Sequence, residues 1–376
     1  MRIAKRIERP RIGFLVGASA DWGGASRVAF TTLETINRDR FDPVVLLPEE
    51  GPIIDRLDRL NLRYVIWGRA HEPRGLISHA GDIARMGWRL RRERIDLLDM
   101  NNNFWRAAEA PAARLMGIPI VTHYHLSARE SGPYVRFSSA IAAVSQWVAD
   151  NSGPPSVPKV VIPNSMILDR FDQATEIRAE LGLKPEQVVF AFLGQIRDIK
   201  GVDLFIQMAK LLPGEHLRFL IAGECRDPVK FPGSYTETRL QAEIAGDKRI
   251  SYLGYRTDVA SLYKSVDVVV APSRWGEPFA LVNLESGAAS RPLIATRDGG
   301  TPEMLVDGKN GFLIDRDDLG GLVQRARELA ESVELRQQLG RCARERVEQR
   351  YTTAPVRKLE RLYLSLLSRT FDGTLD

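Results

Sequence analysis

Two stretches of the 376-residue chain carry residue types at spacings that could act on an anion. Gly194-Gln195-Ile196-Arg197-Asp198-Ile199-Lys200-Gly201 follows an apolar run and precedes a helical pattern, so Arg197, Lys200 and the free amides of a helix start share one loop. A guanidinium offers a two-pronged fork and an ammonium a point charge, a combination suited to a diphosphate. In the stretch from Pro272 to Glu285, Glu277 stands just before a predicted helix and Glu285 lies within it. At a rise of about 1.5 Å per residue their backbones are on the order of 12 Å apart. Carboxyls that act together across one glycosidic bond stand roughly 5–9.5 Å apart, so this pair reads as two clamps on an elongated ligand. Between them the amides of Phe279, Ala280 and Leu281 open the helix and can face phosphate.

Loops that carry such groups need a scaffold, and the pattern around them is alternating. Short β-branched runs at 12–16, 41–47, 63–67, 96–100, 118–123, 140–144 and 160–163 alternate with helical patterns at 27–37, 53–60, 77–94 and 111–116. That alternation predicts βαβ units and a parallel sheet. After the proline-rich connector 151–158, a short helix is predicted at 177–181. A second series of strands follows at 188–193, 218–222, 250–253, 266–271, 292–295 and 311–314. The tail reads as three helices, 320–332, 333–350 and 355–367. The expected architecture is α/β, two doubly wound Rossmann-like parallel-sheet domains: residues 1–163, and residues 164–354, with the last helix, 355–376, packing back on the first. In such sheets ligands bind beyond the carboxyl ends of the strands, where both motifs fall.

Composition narrows the class. With 44% hydrophobic and 27% charged residues the chain has ordinary globular usage, which excludes disordered and collagenous proteins. Cys225 and Cys342 are too few for a disulfide framework or a thiolate metal site, so a reducing, cytoplasmic compartment is expected. No apolar run approaches the about 18 residues that span a bilayer, and the basic start from Met1 to Pro10 lacks the apolar stretch and cleavage site of a signal peptide. Charge is uneven: residues 1–165 hold 23 Lys+Arg against 17 Asp+Glu, the remainder 30 against 31. Arg85, Arg89 and Arg92 recur at helical spacing beside Trp88, which suggests a peripheral contact with the anionic cytoplasmic face of a membrane. A nucleic-acid partner is not expected, because the arginines lack interleaved aromatics in a recognisable module.

The segment from Glu277 to Glu285 resembles the Glu, seven residues, Glu pattern of retaining GT-B glycosyltransferases, and its flanks are similar to glycosyltransferase family 4. The resemblance extends to Gly23-Gly24, Pro163-Asn164, Gly194 to Gly201, Thr296 to Glu303 and Asp307 to Phe312, nearly the whole chain in order. It implies a GT-B fold with a central cleft and a metal-independent hexosyltransferase that retains configuration. The donor implied is a UDP- or GDP-sugar. The acceptor implied is a glycan, glycolipid or lipid-linked intermediate of cell-surface polysaccharide synthesis, bound by the first domain. By resemblance Arg197 and Lys200 clamp the diphosphate, Glu285 holds the ribose hydroxyls, and Glu277 with the following amides holds the sugar. His125, six residues after Pro119, stands beside the sugar, while Gly23 and Gly24 let backbone approach the phosphate.

Some residues depart from the family pattern. Ser165 and Ile167 replace a usual glycine and aspartate, Pro278 a usual small residue, and Gly223-Glu224-Cys225 lacks a second glycine, with Gly223 and Pro278 bordering the expected donor pocket. His123 and His125 could ligate a metal, but no carboxylate or thiolate lies near them in sequence. Asp315-Arg316-Asp317 has the Asp-x-Asp form of metal-dependent transferases of another fold, and reads here as an exposed acidic turn. An epimerase or phosphorylase of the same fold, or a non-catalytic sugar-nucleotide sensor, are the alternative functions.

Overall fold

The computed structural model describes residues 9–17, 24–68, 75–101, 106–127 and 132–375. The chain forms two compact units, one of residues 1–165 and 353–376, the other of residues 166–352. The first is built on seven strands: β1 (Arg11–Leu15), β2 (Asp42–Leu47), β3 (Arg63–Ile66), β4 (Leu97–Asn101), β5 (Ile120–Tyr124), β6 (Ala140–Ala143) and β7 (Lys159–Val161). All pair in parallel in the order β3-β2-β1-β4-β5-β6-β7. The second holds β8 (Val188–Leu193), β9 (Leu217–Ala222), β10 (Ile250–Tyr252), β11 (Val268–Ala271), β12 (Leu293–Thr296) and β13 (Phe312–Ile314), parallel in the order β10-β9-β8-β11-β12-β13. Both orders are Rossmann-like, reversing direction beside the first strand of each unit.

Parallel strands covered on both faces should read as near-continuous apolar runs rather than alternating, and most of these do, with β4 and β5 departing at Asp99, Asn101, Thr122 and His123. In β2, Val45 and Leu47 join Ile12, Phe14, Phe30 and Leu33 on one face, while Val44 and Leu46 join Leu15, Met86, Leu90 and Leu98 on the other. The helix Ala354–Ser368 brings Val356, Leu359, Leu362 and Tyr363 into the first of these clusters. Tyr363 meets Phe14 and Phe41 edge-on at 6.4 and 6.0 Å, and donates its hydroxyl to Asp99 Oδ2 at 2.6 Å. The second unit packs Phe190, Phe192, Phe205, Phe219 and Val270 beneath the helices Val202–Leu211 and Leu319–Glu331.

The chain departs from the expected elements in its shortest pieces. Residues 177–181 make a single turn rather than a helix: Leu181 N bonds Ile177 O, and Gly182, at φ +65°, ends it at once with Leu183 N on Arg178 O. Five short helices, Gln146–Asn151, Asp169–Asp172, Glu237–Ile244, Val259–Ser265 and Thr301–Met304, go beyond the expected elements. Two of them begin at side-chain caps, with Ser145 Oγ accepting from Val148 N and Thr236 Oγ1 from Arg239 N.

Gly223 is set by close approach. A Cβ there would lie 1.8 Å from the Gly194 carbonyl oxygen, so the exits of β8 and β9 can pass only if position 223 lacks a side chain. Gly223→Ala must therefore push these two exits apart. It is expected to cost about 1–3 kcal/mol, read as a lower urea midpoint at unchanged slope. A midpoint equal to the wild type would mean that the exits yield freely.

Candidate active site

In the second unit the strand order reverses between β8 and β11, so the loops after these strands face one crevice at the carboxyl edge of the sheet. Arg274 ties the two loops together. Its backbone N–H donates to Ile199 O at 2.8 Å. Its guanidinium forks onto both oxygens of Asp203 at 2.5 and 2.7 Å, donates to Asp317 Oδ1 at 2.5 Å, and reaches Asp198 O at 2.9 Å. Burial works against ionisation of Asp203, but the hydrogen bonds and charge of Arg274 outweigh it and hold this carboxyl below its usual range.

With the loops so fixed, Lys200 Nζ stands 2.6 Å from Glu277 Oε1, and Ser273 Oγ lies 2.8 Å from the same oxygen. The ammonium also sits 5.2 Å from the centre of the Trp275 ring. Among the described residues nothing bonds the second oxygen of Glu277. Ser273, Trp275, Glu277, Ala280, Thr296 and Thr301 line a small pocket here. The helix Leu281–Ala288 starts beside it, and Ala280, its cap, offers no side chain to the first amides. Phe279 is buried against Tyr351 at 5.6 Å and anchors that start. Glu285 lies one turn into the helix, buried, and accepts a hydrogen bond from the buried Tyr263 hydroxyl at 3.0 Å.

Arg197 is half-buried and held from a direction the sequence did not announce. Residues 233–235 pair with its loop through a single antiparallel bridge, Arg197 opposite Ser234, with Asp198 N on Gly233 O and Tyr235 N on Ile196 O. Arg197 Nη2 donates to Pro232 O at 2.8 Å, while its buried Nε has no hydrogen-bond partner among the described residues. Gly223 lies next to this loop and its carbonyl accepts from the Tyr252 hydroxyl.

In the first unit the strand order reverses between β1 and β4, and a second polar bridge spans that point. Gly24 opens the helix Gly24–Thr35; Gly23 lies outside the described residues. Asn101 ends β4 and His125 follows β5. Asn101 Nδ2 donates to Ala25 O at 3.2 Å and its Oδ1 stands 2.5 Å from His125 Nε2. Two residues back on each strand, Asp99 Oδ2 meets His123 Nε2 at 2.7 Å, and the two imidazoles stack at 5.8 Å. A carboxylate therefore does reach His123, from the neighbouring strand rather than from nearby sequence. Burial, then the His123 charge, pushes the pKa of His125 down to about 3.

The acidic turn is spoken for. Asp315 pairs with Arg297 at 3.7 Å, Asp317 with Arg274 at 2.5 Å and Arg316 with Asp298. Among the described residues no group of three His, Cys, Asp or Glu side chains is placed to hold a metal ion. Sequence reasoning missed Ser273, Arg274, Asp203, Tyr263 and Asn101. Only the adjacency of Ser273 and Arg274 to Glu277 could have drawn attention to any of them.

Comparison with known proteins matches residues 22–170 to the Glycosyltransferase Family 4 model and residues 173–346 to the model of glycosyl transferases group 1. The D-inositol 3-phosphate glycosyltransferase of Corynebacterium efficiens is 32% identical over 209 residues, 54% of this chain and 49% of that one. The chain spans about half the length or less of the first curated relatives it matches. A UDP-Gal:alpha-D-GlcNAc-diphosphoundecaprenol alpha-1,3-galactosyltransferase of Escherichia coli is 25% identical over 80% of this chain and 83% of its own. Among solved structures, Anabaena Alr3699/HepE in complex with UDP and glucose superposes with a TM-score of 0.77, at 21% identity, over 95% of this chain and all of that one. The likeness establishes the GT-B fold.

Arg274→Lys tests whether the loop clamp matters, since an ammonium cannot serve Asp203, Asp317 and Asp198 O together. The expected loss is about 2 kcal/mol, or roughly 4–8 °C in the melting of a domain of this size. Calorimetry giving the wild-type temperature would show that the loops hold without it.

Proposed function

The chain belongs to the glycosyltransferases that join a Family 4 half to a group 1 half, and from that premise we propose that it transfers a hexose from a UDP- or GDP-sugar with retention of configuration and without a metal. The observation that carries this reading is the Lys200–Glu277 pair, 2.6 Å across the switch point of the second sheet and beside an uncapped helix start. As the glycosidic bond breaks, the departing diphosphate gains negative charge. Lys200 spends one of its three donors on Glu277 and keeps the others for phosphate. Arg197, steadied on Pro232, and the amides of Phe279, Ala280 and Leu281 meet the same growing charge. Interactions that strengthen toward the transition state lower the barrier more than they tighten substrate binding.

In this reading the unpaired oxygen of Glu277 takes a sugar hydroxyl, Glu285 takes the ribose hydroxyls, His125 stands beside the sugar, and Gly23, Gly24 and Gly223 give the phosphates room. The acceptor attacks on the face the diphosphate leaves: its oxygen bonds the anomeric carbon, the bond from that carbon to phosphate breaks, and the acceptor's proton passes to the phosphate oxygen. The complex of the Anabaena protein with UDP and glucose supports a uridine donor. The diphosphoundecaprenol substrate named for the Escherichia coli relative supports a lipid-linked acceptor.

A peripheral membrane contact draws support from the helix Leu76–Arg92. Arg89 donates to the carbonyls of Ile66 and Trp67 and lies over the Trp67 ring, Arg85 pairs with Asp82, and Arg92 with Glu93. Facing outward are the apolar Leu76, Ile77, Ala80, Ala84 and Trp88 together with the exposed Arg85, Arg91 and Arg92. Leu76 and Ile77 are 90% and 91% exposed. No helix among the described residues is long and apolar enough to cross a membrane.

Two measurements bear on these readings. Arg197→Ala and Lys200→Ala should each lower transfer about a hundredfold with little change in melting, and wild-type transfer should persist in excess EDTA. Undiminished turnover in either variant, or loss with EDTA and recovery with magnesium, would remove the phosphate clamp as drawn. In co-sedimentation, the protein should pellet with anionic vesicles, partly resist salt, and lose binding when Leu76, Ile77 and Trp88 are replaced by Ser. Equal recovery of that variant and the wild type would dispose of the membrane contact.

A further inference from the structure

We propose that Asn101 is a positioning residue that locks His125 as a hydrogen-bond acceptor, so that the sugar at this position is an uncharged hexose offering a hydroxyl, not a hexuronate offering a carboxylate. The inference rests on the reading that His125 stands beside the donor sugar, and it names the class of sugar.

The argument is one of forced directions. The Ala25 carbonyl can only accept, so the Asn101 amide must turn its NH2 toward it, as the 3.2 Å contact records. That leaves Oδ1 facing His125 Nε2 at 2.5 Å. An amide oxygen also only accepts, so Nε2 must carry the proton. In a neutral imidazole the lone pair then falls on Nδ1.

Among the described residues nothing favours a second proton on His125. On β5, the His123 ring lies parallel to that of His125 with an interplanar angle of 16°. On β4, Asp99 is 1% exposed, and its Oδ2 already takes both His123 Nε2 and the hydroxyl of Tyr363 from the C-terminal helix. The charge that could have drawn a proton to His125 is thus committed to its neighbour, and the helix Gly24–Thr35 presents a carbonyl to Asn101 rather than an acid to the ring. Among the described residues none bonds Nδ1. Burial and His123 hold the pKa of His125 at about 3.

An imidazole fixed in this way discriminates by hydrogen-bond direction. A sugar hydroxyl can donate to Nδ1. A carboxylate at C6 facing Nδ1 has no proton to give near neutral pH, so it would set two lone pairs against each other beside a half-buried ring, where a C6 hydroxyl would not.

Two measurements test this. The first is the long-range proton–nitrogen NMR spectrum of the histidine side chains, with the His125 signals identified by their absence from His125→Gln. Nε2 should be protonated and Nδ1 bare, unchanged between pH 8 and 5, whereas in Asn101→Leu the tautomers should mix. A proton on Nδ1 in the wild type at pH 7 overturns the proposal. The second is calorimetric binding of UDP-glucose against UDP-glucuronate, or GDP-mannose against GDP-mannuronate, whichever nucleotide binds. The wild type should favour the neutral sugar by about tenfold or more, and Asn101→Asp, whose carboxylate raises the pKa of His125, should erase most of that preference. If His125→Ala weakens the neutral sugar while Asn101→Asp leaves the preference intact, the proposal fails and the placement of His125 stands. If His125→Ala leaves both ligands unaffected, the placement itself is wrong and the proposal goes with it.

Discussion

Each sheet reverses its strand order at one place, between β1 and β4 in the first unit and between β8 and β11 in the second. In sheets of this kind the chains leaving the two central strands turn to opposite faces, and among the described residues polar groups reach across to hold the two sides in register. In the second unit that bridge is Lys200 to Glu277, backed by Arg274 on Asp203 and on Asp198 O. In the first it is Ala25 O to Asn101 to His125.

These bridges differ in what they can give up. Lys200 and Glu277 are partly exposed, at 24% and 13% of their side chains, so an incoming phosphate can share the ammonium without burying a charge alone. Arg274 and Asp203 carry the cost of keeping the loops in place. Division of labour between a fixed salt bridge and a shareable one lets a site be rigid and still accept a charged ligand. The Asn101 bridge is neutral, so it fixes a proton's position without adding charge to a buried neighbourhood.

Much of the fold was legible because most of the strands are apolar on both faces, with glycine or proline near many of their ends. β8 was placed to the residue, and the other strands to within one or two. The short helices were not, because Gln146–Asn151 or Val259–Ser265 has too few residues to display a period. The turn at Ile177 looked helical because the sequence of one turn is the same whether or not a second follows; Gly182 decides it. At the site, the reactive residue types could be read from adjacency: Arg197 with Lys200, and Glu277 with Glu285. Their partners could not. Pro232 reaches Arg197 from 35 residues away, Tyr263 reaches Glu285 from 22, and Tyr363 reaches Asp99 from 264. Nothing local marks such residues, since only the finished topology makes them neighbours.

The arginine excess of the first unit shows the same gap between composition and surface. Counted along the chain, these residues suggest a basic face. In the fold Arg11 serves Asp42 and the Glu93 carbonyl, Arg56 serves Glu34 and covers Phe30, and Arg89 serves two carbonyls and covers Trp67. Arg106 is buried outright on Glu109. A planar guanidinium with five donors can cap strand ends and loop carbonyls that no backbone partner reaches, which an ammonium does less well. Much of the formal charge among the described residues is therefore spent on holding the unit together, while Arg40, Arg59, Arg114 and Arg136 stay exposed along with Arg91 and Arg94. Any attraction of the helix Leu76–Arg92 to an anionic surface then joins exposed arginines to the exposed Leu76, Ile77 and Trp88, so it should weaken with salt without vanishing.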